Sequence, residues 1–225
     1  MDYHGLPYTI HEVNPLSKTE IKFSEKYKKV PIVVMSDGEQ MNDSSEIIAK
    51  LGEAMKATGD ARYRSTAIGN GHGVGGVSEE KMEELSKWAG EDLVRALTVS
   101  IYRTPGESLQ AMEYIISHPQ FSYLEKMGNQ YVGGVIMYLV SKRMKGKYNI
   151  DDERASVYKA CSLWINEVGD RKFLGGDVPC RVDLEVFGFL RAVKNMDTFS
   201  DALKNTRLGP WYKAMEEAVP PPRLV

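Results

Sequence analysis

The stretch that decides the fold is Lys28-Lys29-Val30-Pro31-Ile32-Val33-Val34-Met35-Ser36-Asp37-Gly38-Glu39-Gln40-Met41-Asn42-Asp43-Ser44-Ser45-Glu46-Ile47-Ile48. Val30 and Ile32 to Met35 form an apolar, β-branched run, which predicts a buried strand. Ser36 to Glu39 is turn chemistry, because Gly38 accepts a positive φ and Asp37 bonds its own backbone. A short second strand follows at Gln40-Met41. Asn42, Asp43 or Ser44 then caps a helix whose apolar face is Ile47, Ile48, Leu51 and Met55. Pro31 cannot donate to a ladder, so at the head of a strand it marks an edge, a bulge or a cis bond, and we expect cis.

These residues suggest a chemistry. A cis Val30–Pro31 bond turns the Val30 N–H and C=O outward, where an extended peptide-like ligand can pair with them. The helix start at Asp43-Ser44 offers unpaired N–H groups and a positive dipole end to a carboxylate. The Asp43 side chain can meet an ammonium. Together they describe a site for a γ-glutamyl peptide. The competing reading is a plain hairpin followed by an ordinary capped helix.

Upstream, Tyr8 to Val13 alternates apolar and polar, which predicts a strand with one exposed face. Pro15 blocks its continuation, and Thr19 to Phe23 makes about one helical turn. The order is βαββα, which makes residues 1–57 a small α/β unit. His4 and His11 have no ligand-spaced partners and read as surface residues. Downstream, residues 58–78 read as a glycine-rich linker. Gly71-His72-Gly73-Val74-Gly75-Gly76 fits a dinucleotide-binding pattern, but that pattern has meaning only between a strand and a helix. A basic, polar stretch precedes it here, so it is rejected.

From residue 79 onward everything reads as helix. Met82, Leu85, Trp88, Ala89, Leu93, Ala96 and Leu97 keep a 3–4 spacing behind a Ser78 cap. Thr104-Pro105-Gly106-Glu107 reads as a capping box. Leu124 to Lys142 and a segment from Asp151-Asp152-Glu153 predict two further helices, and Cys180 to Asp183 opens the last long one. The run Tyr131 to Val140 spans 10 residues. A bilayer needs about 20, so this run reads as a buried core helix.

The chain has 225 residues, with 29 basic against 31 acidic. That balance argues against a nucleic-acid partner. Two cysteines, Cys161 and Cys180, exclude a disulfide framework. No signal peptide or transmembrane segment is visible, so the sequence reads as cytoplasmic. A peripheral membrane or organellar location would follow if an N-terminal segment is missing from it.

A proline-headed strand, a hairpin, Asp-Ser at a helix start and a helical domain resemble the glutathione transferase architecture. The chain is identified more closely as similar to the membrane-associated prostaglandin E synthase type 2 family. The matching stretches include Leu6-Pro7-Tyr8, Glu12-Val13-Asn14-Pro15, Glu20 to Ser24, Lys29 to Ile32 and Asn42 to Ser45. Further on they include Val99 to Pro105, Met137 to Arg143, Gly175-Gly176 and Pro210-Trp211-Tyr212. The implied fold is a truncated α/β thioredoxin-like unit followed by an all-α glutathione transferase C-terminal-like domain.

By this resemblance Val30, Asp43 and Ser44 contact glutathione, and the activity is isomerisation of prostaglandin H to prostaglandin E. The substrate is a lipid endoperoxide, the assembly a homodimer, and haem can enter with glutathione. Three departures stand out: no membrane anchor, a short linker, and no first strand or Cys-Pro-x-Cys motif ahead of Met1. No catalytic residue is therefore assigned. Cys161 reads as an inert buried thiol, and Cys180 as a weak cap where Ser, Thr or Asn is usual. Arg95 stands where a haem-edge histidine is expected, while Tyr102 and Arg143 match. A catalytically silent binding or scaffold protein is the second reading, and a general transferase on electrophiles the third. The missing strand predicts weak protection of residues 1–57 beside a sound helical domain.

Overall fold

The computed structural model describes residues 1–56, 75–117 and 119–224. They form two compact units, Met1–His72 with Pro220–Val225, and Gly73–Val219. The linker and the glycine motif read at Gly71 to Gly76 lie mostly outside the described residues.

In the first unit a 3-10 turn at Thr19–Ile21 leads to β1 (Ile32–Val34), β2 (Gln40–Asn42) and α1 (Ser44–Lys56). The two strands pair antiparallel, Ile32 with Asn42 and Val34 with Gln40. Gly38 has φ +90°, and Asp37 Oδ1 accepts the Glu39 N–H at 2.9 Å, closing the turn as its residues dictate. Tyr3, Ile21, Met41, Ile47 and Met55 form the buried apolar set.

Two expectations fail here. Val30, Val34 and Met35 are exposed rather than buried: β-branched residues favour a strand, but burial requires something to cover it. Tyr8 to Val13 forms no strand. A strand needs a neighbour, and among the described residues the only pairing is a parallel bridge from Tyr8 to Leu224, with Tyr8 N–H donating to the Arg223 carbonyl at 3.1 Å.

The second unit is all helix: α2 (Glu79–Trp88), α3 (Val94–Ile101), α4 (Pro105–Ala111), α5 (Glu113–Ser117), α6 (Tyr123–Met127), α7 (Gly134–Lys147), α8 (Glu153–Val168), α9 (Arg181–Ala192), α10 (Asp197–Asn205) and α11 (Leu208–Ala218). π-helical turns at Ala89–Leu93 and Gly128–Gly133 lead directly into α3 and α7. Ser78 caps α2 through the Lys81 N–H at 3.2 Å, and Asp152 caps α8 through Ala155 at 2.9 Å. A complete capping box sits at Ser122 and Glu125. At Thr104 only half the box forms, because Glu107 turns its carboxylate to Arg103 and Arg154.

Helix α8 lies at the centre, against α3, α10 and α11. Trp164 stacks on Trp88 at 6.4 Å and meets Trp211 edge-on at 5.3 Å. A satellite core of Met112, Ile115 and Phe121 takes in Tyr102 and Met137. No described helix is long and apolar enough to cross a membrane. This is the α/β thioredoxin-like unit plus all-α domain that the resemblance implies.

Candidate functional site

The hairpin register gathers the three residues singled out by sequence. Because Ile32 faces Asn42, Val30-Pro31 and Asp43-Ser44 leave the same end of the ladder. The Val30–Pro31 bond is cis, as expected. Val30 is 59% exposed. Asp43 has φ +66°, a region that Asp tolerates better than most residues. Its carbonyl accepts the Ile47 N–H at 3.0 Å, making it the N-cap of α1, and Ser44 opens the helix.

The loop before Val30 is pinned to this hairpin. Gln40 Nε2 donates to Asn42 Oδ1 at 2.7 Å and to the buried Ser24 Oγ at 2.9 Å. Ser24 Oγ in turn donates to the Tyr27 carbonyl at 2.7 Å. Sequence reading missed one member of the site. Glu46 lies in the first turn of α1, 3.4 Å from the Asn42 N–H and 3.3 Å from Lys50 Nζ. Lys50 also meets Glu39 at 2.7 Å, and these hydrogen bonds, Glu39 first, raise its pKa. The Glu46–Lys50 spacing of four was the signal available. Chemically, the end of the hairpin offers peptide groups, a carboxylate and a helix N-terminus, with Glu46 opposing any incoming anion.

The second unit carries a separate feature, and it corrects the sequence reading. Tyr131 to Val140 is not a buried core helix. Val132, Val135, Ile136 and Val140 are exposed, and Leu139 is 61% exposed. The buried side of this helix is instead made by Gly133, Gly134 and Ser141. A Cβ on Gly134 would stand 3.2 Å from Leu109 Cδ2, so the small residues let α7 approach α4 and turn the large ones outward. At a spacing of four, Val135, Leu139, Arg143 and Lys147 share one face, apolar at one end and cationic at the other. That face matches an apolar molecule ending in an acid.

The thiols are chemically quiet. Burial pushes Cys161 up to about 12. Burial, then the nearby Asp183 carboxylate, push Cys180 up to about 12. Cys180 heads α9, and the bonding there is carried by Asp183, which is fully buried. Its carboxylate accepts N–H groups from Leu174 at 2.9 Å, Gly175 at 3.1 Å and Cys180 at 2.9 Å, plus Trp211 Nε1 at 3.1 Å.

The donor set at the hairpin end fits glutathione. Arg95, which stands where a haem-edge histidine is expected, is tied to Asp92 at 2.6 Å and lies 4.0 Å over the Tyr148 ring. Burial, then the neighbouring Tyr114, raise the pKa of Tyr102. No described group of three or more His, Cys, Asp and Glu residues could hold a metal ion.

The model of the glutathione S-transferase N-terminal domain matches residues 1–58. The Mus musculus protein named prostaglandin E synthase 2 is 37% identical over 97% of this chain and 65% of its own length. Its Danio rerio counterpart is 35% identical over 97% of this chain and 66% of its own length. The chain thus spans about two thirds of the length of the curated relatives it matches.

Proposed function

Because this chain belongs to the glutathione transferase-like family of the proteins named prostaglandin E synthase 2, we propose that it binds glutathione at Val30, Asp43 and Ser44 and isomerises prostaglandin H to prostaglandin E. The observation that carries this reading is the shared end of the hairpin, which Val30-Pro31 and Asp43-Ser44 both leave beside the start of α1. Glutathione, when bound, supplies a thiol that the chain's own buried cysteines do not. The Val30 main chain pairs with the peptide, Asp43 meets the ammonium, and the α1 N-terminus meets a carboxylate. The α7 face suits the other partner: Val135 and Leu139 take an apolar lipid body, while Arg143 and Lys147 hold its acid. The same reading makes the chain a homodimer, which light scattering tests directly.

Calorimetry with glutathione, paired with a prostaglandin H turnover assay, tests the proposal. Asp43→Ala should weaken glutathione binding about 10- to 100-fold, the worth of one charge-assisted hydrogen bond, with little loss of stability. Unchanged affinity would remove the site. Glu46→Gln should strengthen binding about two- to fivefold by lifting a negative charge from the helix start. One observation favours a second reading, a silent glutathione-binding protein: both thiols are buried with pKa values near 12. Binding without turnover would select it.

A further inference from the structure

Helices α10 and α11 and the turn ahead of α10 enclose a pocket of about 500 Å³, within the roughly 300–1,000 Å³ range of small-molecule sites. Its walls follow from residue spacing. Phe199 and Leu203 stand one turn apart on α10, as do Tyr212 and Glu216 on α11, and all four line it. Phe199 and Tyr212 are buried, with ring centroids 4.6 Å apart, so the floor is aromatic. Lys194, from the turn, and Lys213, on α11, are exposed at its rim. Among the described residues neither ammonium has an ion-pair partner. Gly209 keeps one wall open, because a Cβ there would meet nothing within 4 Å.

The Tyr212 hydroxyl sets this pocket apart. It is buried and makes no hydrogen bond, whereas buried polar groups nearly always find a partner. Burial, then the Glu216 carboxylate, push the phenol up to about 12 against the pull of Arg191, so it stays a donor across the neutral range. An unmet donor, two ammonium groups and an aromatic floor suit a ligand that is flat, apolar and anionic at one end. We propose that this pocket binds a small aromatic carboxylate, its ring over Phe199 and Tyr212 and its acid taken by Lys194, Lys213 and the Tyr212 O–H. Glu216 lines the same pocket and limits the affinity. The inference does not depend on the glutathione site or on the α7 face.

Nuclear magnetic resonance titration of the isotope-labelled full chain with naphthoate, and with neutral naphthamide in parallel, provides the test. Naphthoate should shift the backbone resonances of α10 and α11 and saturate, while naphthamide should bind about tenfold more weakly. Tyr212→Phe should weaken naphthoate on the order of tenfold. Its thermal melt should equal or exceed that of the parent, because the substitution deletes an unmet buried donor. Lys194→Ala combined with Lys213→Ala should weaken binding about tenfold, and Glu216→Gln should strengthen it about two- to fivefold. Gly209→Leu fills the pocket and should abolish binding in a chain that melts like the parent. Equal binding of naphthamide, or undiminished binding in Tyr212→Phe or Gly209→Leu, overturns the proposal. So does a Tyr212→Phe chain that melts well below the parent, since the hydroxyl would then be bonded within the fold. Loss of binding in Leu139→Ser with none in Tyr212→Phe overturns it too, and assigns the acid to the α7 face. Glutathione calorimetry should be unchanged in the pocket variants, so a failed pocket and a failed glutathione site are told apart.

Discussion

Helices α7 and α8 sit in the same unit and invert the usual relation between composition and burial. Helix α7 begins with a long apolar run, yet it presents Val135, Ile136 and Leu139 to the surface. Helix α8 opens with Glu153 and Arg154, yet both are buried. The difference lies in partners. Arg154 donates through Nη1 to Ser100 Oγ at 2.7 Å and to Thr198 Oγ1, and through Nη2 to Glu107 at 2.6 Å. Its Nε lies 3.0 Å from Asp201 as an ion pair. Glu153 is held by Lys145 at 2.9 Å and Lys142 at 3.4 Å. A charge that is paired and hydrogen-bonded by its neighbours can be buried. An apolar side chain with no surface opposite it stays outside, whatever its preference.

The comparison can be broken most decisively at Cys161, on the buried face of α8. With its thiol pushed from 9.0 to about 12, the folded chain should carry about a thousandfold less thiolate near neutral pH than a free cysteine. Alkylation should wait for unfolding, and rapid labelling of the native chain would show α8 to be open. The linkage has a definite sign: the folded state keeps a proton that the unfolded state releases above about pH 9, so stability falls as pH rises past that point and is unaffected below it. Denaturation at a series of pH values checks this.

Arg154→Met comes next. It strips Glu107 and Asp201 of a buried partner, although Glu107 keeps Arg103 at 3.0 Å. We expect a loss of about 3 kcal/mol in urea unfolding. A loss near zero would mean that the network contributes geometry rather than stability.

The smallest effect belongs to α7. Leu139→Ser should change stability by less than about 0.5 kcal/mol, as an exposed position does, while lowering prostaglandin turnover if that face holds the lipid. A large destabilisation would show the face to be covered.

Local signals survived the passage from sequence to structure. The cis Val30–Pro31 bond, the Asp37-Gly38 turn and the Ser78 and Asp152 caps depend on residues within a few positions of one another, so their chemistry is written in place. What the sequence did not carry were relations between distant segments. Val30 to Met35 looked buried, but a strand cannot announce whether another layer covers it. Tyr8 to Val13 alternated correctly, yet among the described residues it makes an isolated bridge to Leu224 and no strand. Glu107 was placed to close a capping box, yet Arg154, far along the chain, drew it away. At the candidate site the same division holds. That Val30, Asp43 and Ser44 fall at one end of the hairpin was legible from turn and cap chemistry. The opposing Glu46 was passed over, because an acidic residue in a first helical turn is ordinarily read as favourable.

The π-helical turn at Gly128–Gly133 has a consequence for how the chain tolerates changes in its own length. A π turn holds an extra residue that α winding would not need. Losing one residue there would tighten the turn and leave α6 and α7 in phase. Losing one within α7 would instead swing everything beyond it by about 100° and scatter the row from Val135 to Lys147. The turn at Ala89–Leu93 offers the same slack between α2 and α3. Single-residue gaps and insertions in the helical unit are therefore expected to be absorbed at these two places and rejected elsewhere, as a deletion scan read by folded yield would reveal.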